Sequence, residues 1–185
     1  MTRTKETSVA QDKPVIDLAS MIRDIPDFPK EGILFRDIMP LLQDPQALRQ
    51  TVDELTAYAA DKHVDVVFGA EARGFILGAA VAYALNAGFV CARKPGKLPW
   101  HTLEAEYALE YGTDKLEVHS DAIKPGMNVL VHDDLLATGG TAKAKCELVE
   151  RLGGNVVGVA FIIELSALGG RAKLAGYDVF SLIKY

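Results

Sequence analysis

Cysteine is scarce: Cys91 and Cys146 are the two in 185 residues. That is too few for a disulfide framework, and their spacing matches no zinc motif. Long apolar runs are also missing. No stretch approaches the roughly 20 residues that span a bilayer, so no membrane partner is expected. The polar segment 1–14 has no apolar core of a secretory signal and is expected to be a disordered tail. A cytoplasmic protein with reduced thiols is therefore expected. Positive charge is in deficit, with 20 Lys and Arg against 25 Asp and Glu. That balance argues against nucleic acid as a partner. It leaves a small polyanion open, because a local basic cluster decides that. Internal repeats and linkers are absent, and 15–185 is expected to form a single domain.

The informative stretch is Val129-Leu130-Val131-His132-Asp133-Asp134-Leu135-Leu136-Ala137-Thr138-Gly139-Gly140-Thr141. A β-branched and aliphatic run reads as a buried strand over 127–132. Two carboxylates follow where that strand is expected to end. A Thr/Gly turn then leads into a helix expected over 142–152. Backbone N–H groups at a helix start have no partners within the helix, and the helix dipole adds positive potential there. Gly139 and Gly140 let the backbone approach an anion closely. Asp133 and Asp134 would repel a phosphate, so they suit sugar hydroxyls or a magnesium ion. A ligand with both a sugar diol and a phosphate satisfies the whole stretch. The plain alternative is a βα turn with flexible glycines.

Two further loops carry positive charge. Glu71-Ala72-Arg73-Gly74 joins a strand over 65–70 to a helix over 75–85, and reads as a plain connection or a second anion cradle. Arg93-Lys94-Pro95-Gly96-Lys97 follows a strand over 89–92. It reads as a solvated charge run or, given its sheet edge, as an anion site.

The remaining chain reads as follows. Val15, Leu18, Ala19, Ile22 and Ile25 share one face of a helix expected over 15–25. Pro26 ends it. Phe28 to Asp37 is a loop with four large apolar side chains, either packed over the core or forming a wall for a planar ligand. Asp44-Pro45 opens a second helix, with Leu48, Val52, Leu55 and Ala59 as its buried stripe. Alternating apolar residues from Leu103 to Tyr111 suggest a hairpin within 100–116. A strand over 156–163, a short helix over 171–175 and a strand over 177–183 complete the chain. The βαβ alternation predicts an α/β fold with a mostly parallel sheet flanked by helices. Ligands bind such sheets at the carboxyl ends of the strands, where all three loops fall.

The Asp-Asp and Thr-Gly-Gly-Thr stretch resembles the phosphoribosyl pyrophosphate motif of the type I phosphoribosyltransferases. His132 departs from the family, which usually has an aliphatic residue there. Phe28-Pro29-Lys30-Glu31-Gly32-Ile33-Leu34-Phe35-Arg36-Asp37 resembles the small hood of the members that act on adenine, here about 26–40. Leu109-Glu110-Tyr111-Gly112 resembles the family's closing loop, within a flexible hairpin flap of about 94–116. The resemblance covers nearly all of the chain after residue 15.

The resemblance implies a purine salvage enzyme that transfers phosphoribose to adenine, giving AMP and pyrophosphate. It implies that Glu71, Ala72, Arg73, Arg93, Lys94 and Lys97 take the pyrophosphate. Asp133 and Asp134 would hold the ribose, and Ala137, Thr138, Gly139, Gly140 and Thr141 its phosphate. Leu34, Phe35, Arg36 and Leu135 would contact adenine. Glu110 would assist proton transfer, forming the catalytic set with Asp133 and Asp134. Mg²⁺ would be held by substrate and water with no direct protein ligand, and the enzyme would be a homodimer. The alternatives are hypoxanthine, guanine or xanthine as the base, or a sensor of phosphoribosyl pyrophosphate without catalysis.

Overall fold

A computed structural model describes residues 15–108 and 113–185. The expected tail 1–14 and the segment Leu109–Gly112, with Glu110, lie outside the described residues. The chain divides into two compact units, one ending at Gln50 and one from Thr51 to Tyr185.

In the first unit the helix expected over 15–25 is not formed. A 3-10 turn, Leu18–Met21, is capped by Asp17, and strand β1 (Arg23–Ile25) follows. It pairs antiparallel with β2 (Phe35–Asp37), placing Arg23 opposite Asp37 and Asp24 opposite Arg36. Both pairs are ion pairs, Arg23–Asp37 at 2.8 Å and Arg36 with Asp24. The apolar spacing misleads here for a physical reason. Asp17 and Ser20 hydrogen-bond to nearby backbone, and so short a helix is marginal alone, while the ribbon gains two cross-strand charge pairs. Between the strands the Phe28–Pro29 bond is cis, and Phe28 meets Phe35 edge-on at 5.1 Å. Helix α1 (Met39–Gln43) precedes α2 (Pro45–Ala59), which contains the division between the units. Asp44 caps α2 as expected, its Oδ1 accepting the N–H groups of Gln46 and Ala47 at 2.9 and 2.8 Å. The buried stripe is Ala47, Thr51, Leu55 and Ala59, with Leu48 and Val52 beside it half-buried.

The second unit is built on five strands. They are β3 (Val66–Ala70), β4 (Gly88–Ala92), β7 (Asn128–Leu136), β8 (Asn155–Glu164) and β9 (Val179–Lys184). Their order is β4-β3-β7-β8-β9, with every neighbouring pair parallel. Helix α3 (Arg73–Ala84) connects β3 to β4, and α4 (Gly140–Arg151) connects β7 to β8. Strand order therefore reverses between β3 and β7, where a doubly wound sheet opens a crevice at its carboxyl edge. The α/β fold with a parallel sheet flanked by helices is as the alternation predicts.

A hairpin, β5 (Thr102–Ala108) with β6 (Thr113–His119), lies between β4 and β7. Its inner face is part of the core: Ala105, Leu116 and Val118 are buried with Phe68, Val131, Leu148 and Phe161. A bridge from Arg93 to Glu117 joins it to the residue after β4. Glu104 and Glu106 face outward, as the alternation predicts.

β7 runs four residues past its expected end, so Asp133 and Asp134 lie within the strand. Asp is a poor strand former. Pairing overrides this, because Asp133, Leu135 and Leu136 continue the ladder to Phe161, Ile163 and Glu164.

Candidate active site

The crevice at the strand-order reversal is a cleft of about 340 Å³. Its walls are residues 70–73 after β3 and 133–142 from β7 into α4, with Lys94, Tyr107 and Leu116 closing one side. The structure thus brings together Glu71, Ala72, Arg73, Lys94, Asp133, Asp134, Leu135, Ala137, Thr138, Gly139, Gly140 and Thr141, all expected from the sequence.

Consecutive residues of a strand face opposite sides, and the acidic pair shows it. Asp133 meets α4, its Oδ2 accepting a hydrogen bond from Lys145 Nζ at 2.9 Å. Asp134 meets α3, with Arg73 Nε 2.6 Å from its Oδ2. The backbone joins them, as Asp134 N–H donates to Asp133 Oδ1 at 3.1 Å. Asp134 is buried. Burial, and then the neighbouring Asp133 charge, push its carboxyl above the usual carboxylate range, while Arg73 pulls it part of the way back.

The turn before α4 is shaped by two glycines. Gly139 adopts a left-handed conformation, φ 79°, as the residue preceding α4, and no side chain caps the helix. The N–H groups of the first helical turn therefore stay available to an outside acceptor. Gly170, beyond β8, lies against this turn. A Cβ on Gly170 would sit 2.1 Å from Ala137 O.

The cationic side of the cleft is charge-balanced internally. The Glu71–Ala72 peptide bond is cis. Glu71 Oε2 accepts from Arg93 Nη2 and Lys97 Nζ, each at 3.0 Å, and its Oε1 accepts the Lys94 N–H. Burial alone would raise the Glu71 carboxyl, but these donors together lower it to about 2. Lys94 Nζ pairs with Asp114, which also accepts from Tyr107 Oη at 3.2 Å. An anion entering here competes with carboxylates already on these cations.

His132 is buried, with Nδ1 3.0 Å from Ala160 O, so Nδ1 carries the proton and donates. Its Nε2 is buried without a partner. Burial lowers its pKa to about 4, against the opposing pull of Asp133, so the ring is neutral near pH 7.

Sequence reasoning missed Lys145, Tyr107, Leu116 and Asp114. Lys145 carried a signal, since it stands four residues after Thr141 among Ala144, Cys146, Leu148 and Val149, where a lysine is out of place. Tyr107, an amphipathic ring at the apolar side of the hairpin, was a weaker one. Leu34, Phe35 and Arg36 belong to the first unit, where Leu34 is exposed and Arg36 pairs with Asp24. Among the described residues, no three His, Cys, Asp or Glu side chains converge to hold a metal ion, and no helix is long and apolar enough to cross a membrane.

Residues 41–183 match the phosphoribosyl transferase domain. Adenine phosphoribosyltransferase of Clostridium perfringens is 58% identical over 92% of this chain and 99% of its own. That of Methanococcus maripaludis is 55% identical over the same shares. The crystal structure of adenine phosphoribosyltransferase from Thermoanaerobacter pseudethanolicus superposes with a TM-score of 0.89 at 53% identity, covering 91% of this chain and 98% of that one. The Saccharomyces cerevisiae enzyme, complexed with an imino-altritol bisphosphate and adenine, superposes at 0.84 with 41% identity, covering 89% and 96%.

Proposed function

The chain belongs to the adenine phosphoribosyltransferases of the phosphoribosyltransferase family, and from that premise we propose that it transfers the phosphoribosyl group of phosphoribosyl pyrophosphate to adenine. The ribosyl C1–oxygen bond to pyrophosphate breaks, a bond from C1 to adenine nitrogen forms, and that nitrogen loses its proton. The products are AMP and pyrophosphate, the outcome of a purine salvage reaction. The observation that carries this reading is the cleft itself. It sets an acidic pair beside an uncapped, glycine-shaped helix start, with a cationic loop on the far side.

The roles follow from the chemistry of each group. The first turn of α4, with Ala137, Thr138, Gly139, Gly140 and Thr141, takes the ring phosphate on N–H and hydroxyl donors. Asp133 and Asp134 accept hydrogen bonds from the ribose hydroxyls, and their charge favours a sugar that turns cationic as the leaving group departs. Arg73, Arg93, Lys94 and Lys97 receive the pyrophosphate, exchanging Glu71 and Asp114 for phosphate oxygens. Glu71 and Ala72 shape that side. For the base we assign Leu135 and the residues Leu34, Phe35 and Arg36. Glu110 assists removal of the adenine proton. The work is positioning and charge stabilisation rather than nucleophilic attack by the protein.

Magnesium fits as a passenger of the substrate. The cleft carboxylates Asp133, Asp134 and Glu71 are engaged by Lys145, Arg73, Arg93 and Lys97, so phosphoribosyl pyrophosphate oxygens and water would supply its ligands. When bound, it neutralises charge on the pyrophosphate. We further assign the protein to the cytoplasm, acting as a homodimer, with residues 15–185 working as one catalytic domain.

The test is product formation from phosphoribosyl pyrophosphate and Mg²⁺ with adenine, hypoxanthine, guanine and xanthine side by side. AMP alone is expected. Turnover confined to an oxopurine would discard the assignment of the base. Tight binding of phosphoribosyl pyrophosphate with no product from any base would discard catalysis.

A further inference from the structure

We propose that Lys145 is a positioning residue for the acidic pair, holding the Asp133 carboxylate and the end of β7 in the geometry that receives the ribose hydroxyls. This rests on the ribose role assigned above to Asp133 and Asp134.

Lys145 Nζ donates to His132 O at 2.8 Å and to Asp133 Oδ2 at 2.9 Å, and its side chain has no exposure. With Asp134 N–H on Oδ1, both oxygens of Asp133 are held, and lone pairs remain for the cleft. Stability gives no reason for a lysine here. Ordering a long side chain is costly, and a buried ion pair is seldom better than a well-packed apolar group. The buried residues one turn away on the same face of α4, Ala142, Leu148 and Val149, are all apolar.

Position adds to the argument. Lys145 lies one turn beyond Thr141 on the same helix. It ties the helix that opens with the phosphate turn to the strand that carries the ribose carboxylates. One residue thereby sets the spacing between the two halves of a sugar phosphate site.

The charged and titratable groups around it are few. Asp133 and Asp134 lie on β7, with the neutral His132 ring beside them. Arg73 approaches from α3, and Cys146 sits next along α4, its thiol pushed up to about 12 by burial. Across the cleft Lys94 is engaged by Asp114. Lys145 is one of the charges that restrain the rise of Asp134. Without it, Asp134 takes up a proton at higher pH.

The test uses Lys145→Met, which keeps length and loses both charge and donors, and Lys145→Gln, which keeps donors alone. Steady-state kcat and KM are measured for phosphoribosyl pyrophosphate and for adenine from neutral into acid pH. Lys145→Met is expected to raise KM for phosphoribosyl pyrophosphate by about tenfold or more, leave KM for adenine within about twofold, and move the acid limb of kcat/KM to higher pH. Lys145→Gln is expected to recover part of that KM while keeping the displaced acid limb. A loss of Tm with KM and the acid limb both at wild-type values would assign Lys145 to packing and overturn the proposal. Asp133→Asn is measured alongside. If it leaves KM for phosphoribosyl pyrophosphate unchanged, the ribose reading itself falls. If it raises KM while the Lys145 variants do not, the present proposal alone falls. Should neither variant fold, the native chain decides. Its buried ammonium gives a slowly exchanging ¹⁵N signal, expected to shift on saturation with ribose 5-phosphate, and an unmoved signal overturns the proposal.

Discussion

Gly139 and Gly170 are in such close approach that a Cβ on Gly139 would lie 2.4 Å from Gly170 O. The turn before α4 is therefore supported by a segment some thirty residues further along the chain. Gly139→Ala meets both this contact and a left-handed backbone. It is expected to cost about 2 kcal/mol or more, lowering Tm by roughly 4–8 °C, and to raise KM for phosphoribosyl pyrophosphate. Gly170→Ala is expected to raise the same KM although Gly170 lines no part of the cleft. Steady-state kinetics with thermal denaturation checks both, and an unaffected Gly170→Ala would remove the supporting role.

His132 makes stability sensitive to acid. Its pKa in the fold, about 4, lies below the ordinary 6.5. The unfolded chain therefore binds this proton first as pH falls. Stability is full above the ordinary value and is lost between that value and about 4. The loss reaches about 3 kcal/mol at the acid end. His132→Val removes the titrating group and the unpartnered Nε2. It is expected to leave stability at pH 7 within about 1 kcal/mol and to flatten the decline from pH 7 to 5. Urea midpoints across that range measure it. An equally steep decline in the variant would assign the effect elsewhere.

Asp134 shifts in the other direction, raised by burial and by Asp133. A carboxylate needed in its charged form is lost on protonation, so the acid limb of kcat/KM is expected above the ordinary carboxylate range. Asp134→Asn is expected to lower kcat/KM by about a hundredfold or more and to abolish that limb. Full turnover in Asp134→Asn would reject the role of the pair.

Metal removal separates catalysis from folding. On the proposal that magnesium is carried by substrate, chelation with EDTA is expected to stop AMP formation while Tm of the free protein stays unchanged. A fall in Tm on chelation would indicate a metal held by the protein itself.

Much of the cleft was legible before any coordinates, because its chemistry is local in sequence. Asp133 to Thr141 is one continuous run, and a strand followed by a glycine turn and a helix can fold in few ways. Glu110, outside the described residues, is assigned from the resemblance of Leu109-Glu110-Tyr111-Gly112 to the family's closing loop. Its replacement by Ala is expected to lower kcat more than KM for phosphoribosyl pyrophosphate, read from initial rates. What escaped depends on distance along the chain. Gly170 supports Gly139, and Tyr107 and Asp114 approach Lys94, through contacts that no local pattern encodes. The ribbon Arg23–Ile25 with Phe35–Asp37 escaped for a related reason: strand pairing with a segment ten residues away outweighed an apolar periodicity of 3.6. Lys145 escaped because a buried lysine contradicts the usual rule.

The alternation of β7 has a consequence for how this gene tolerates insertions and deletions. Asp133 answers to Lys145 on α4, and Asp134 answers to Arg73 on α3. Adding one codon between His132 and Asp133 would turn each carboxylate to the opposite face of the strand and strand both cations at once. An exposed surface turn can lengthen or shorten at modest cost. This strand segment cannot, so across descendants of this sequence its length will outlast the identity of many residues around it.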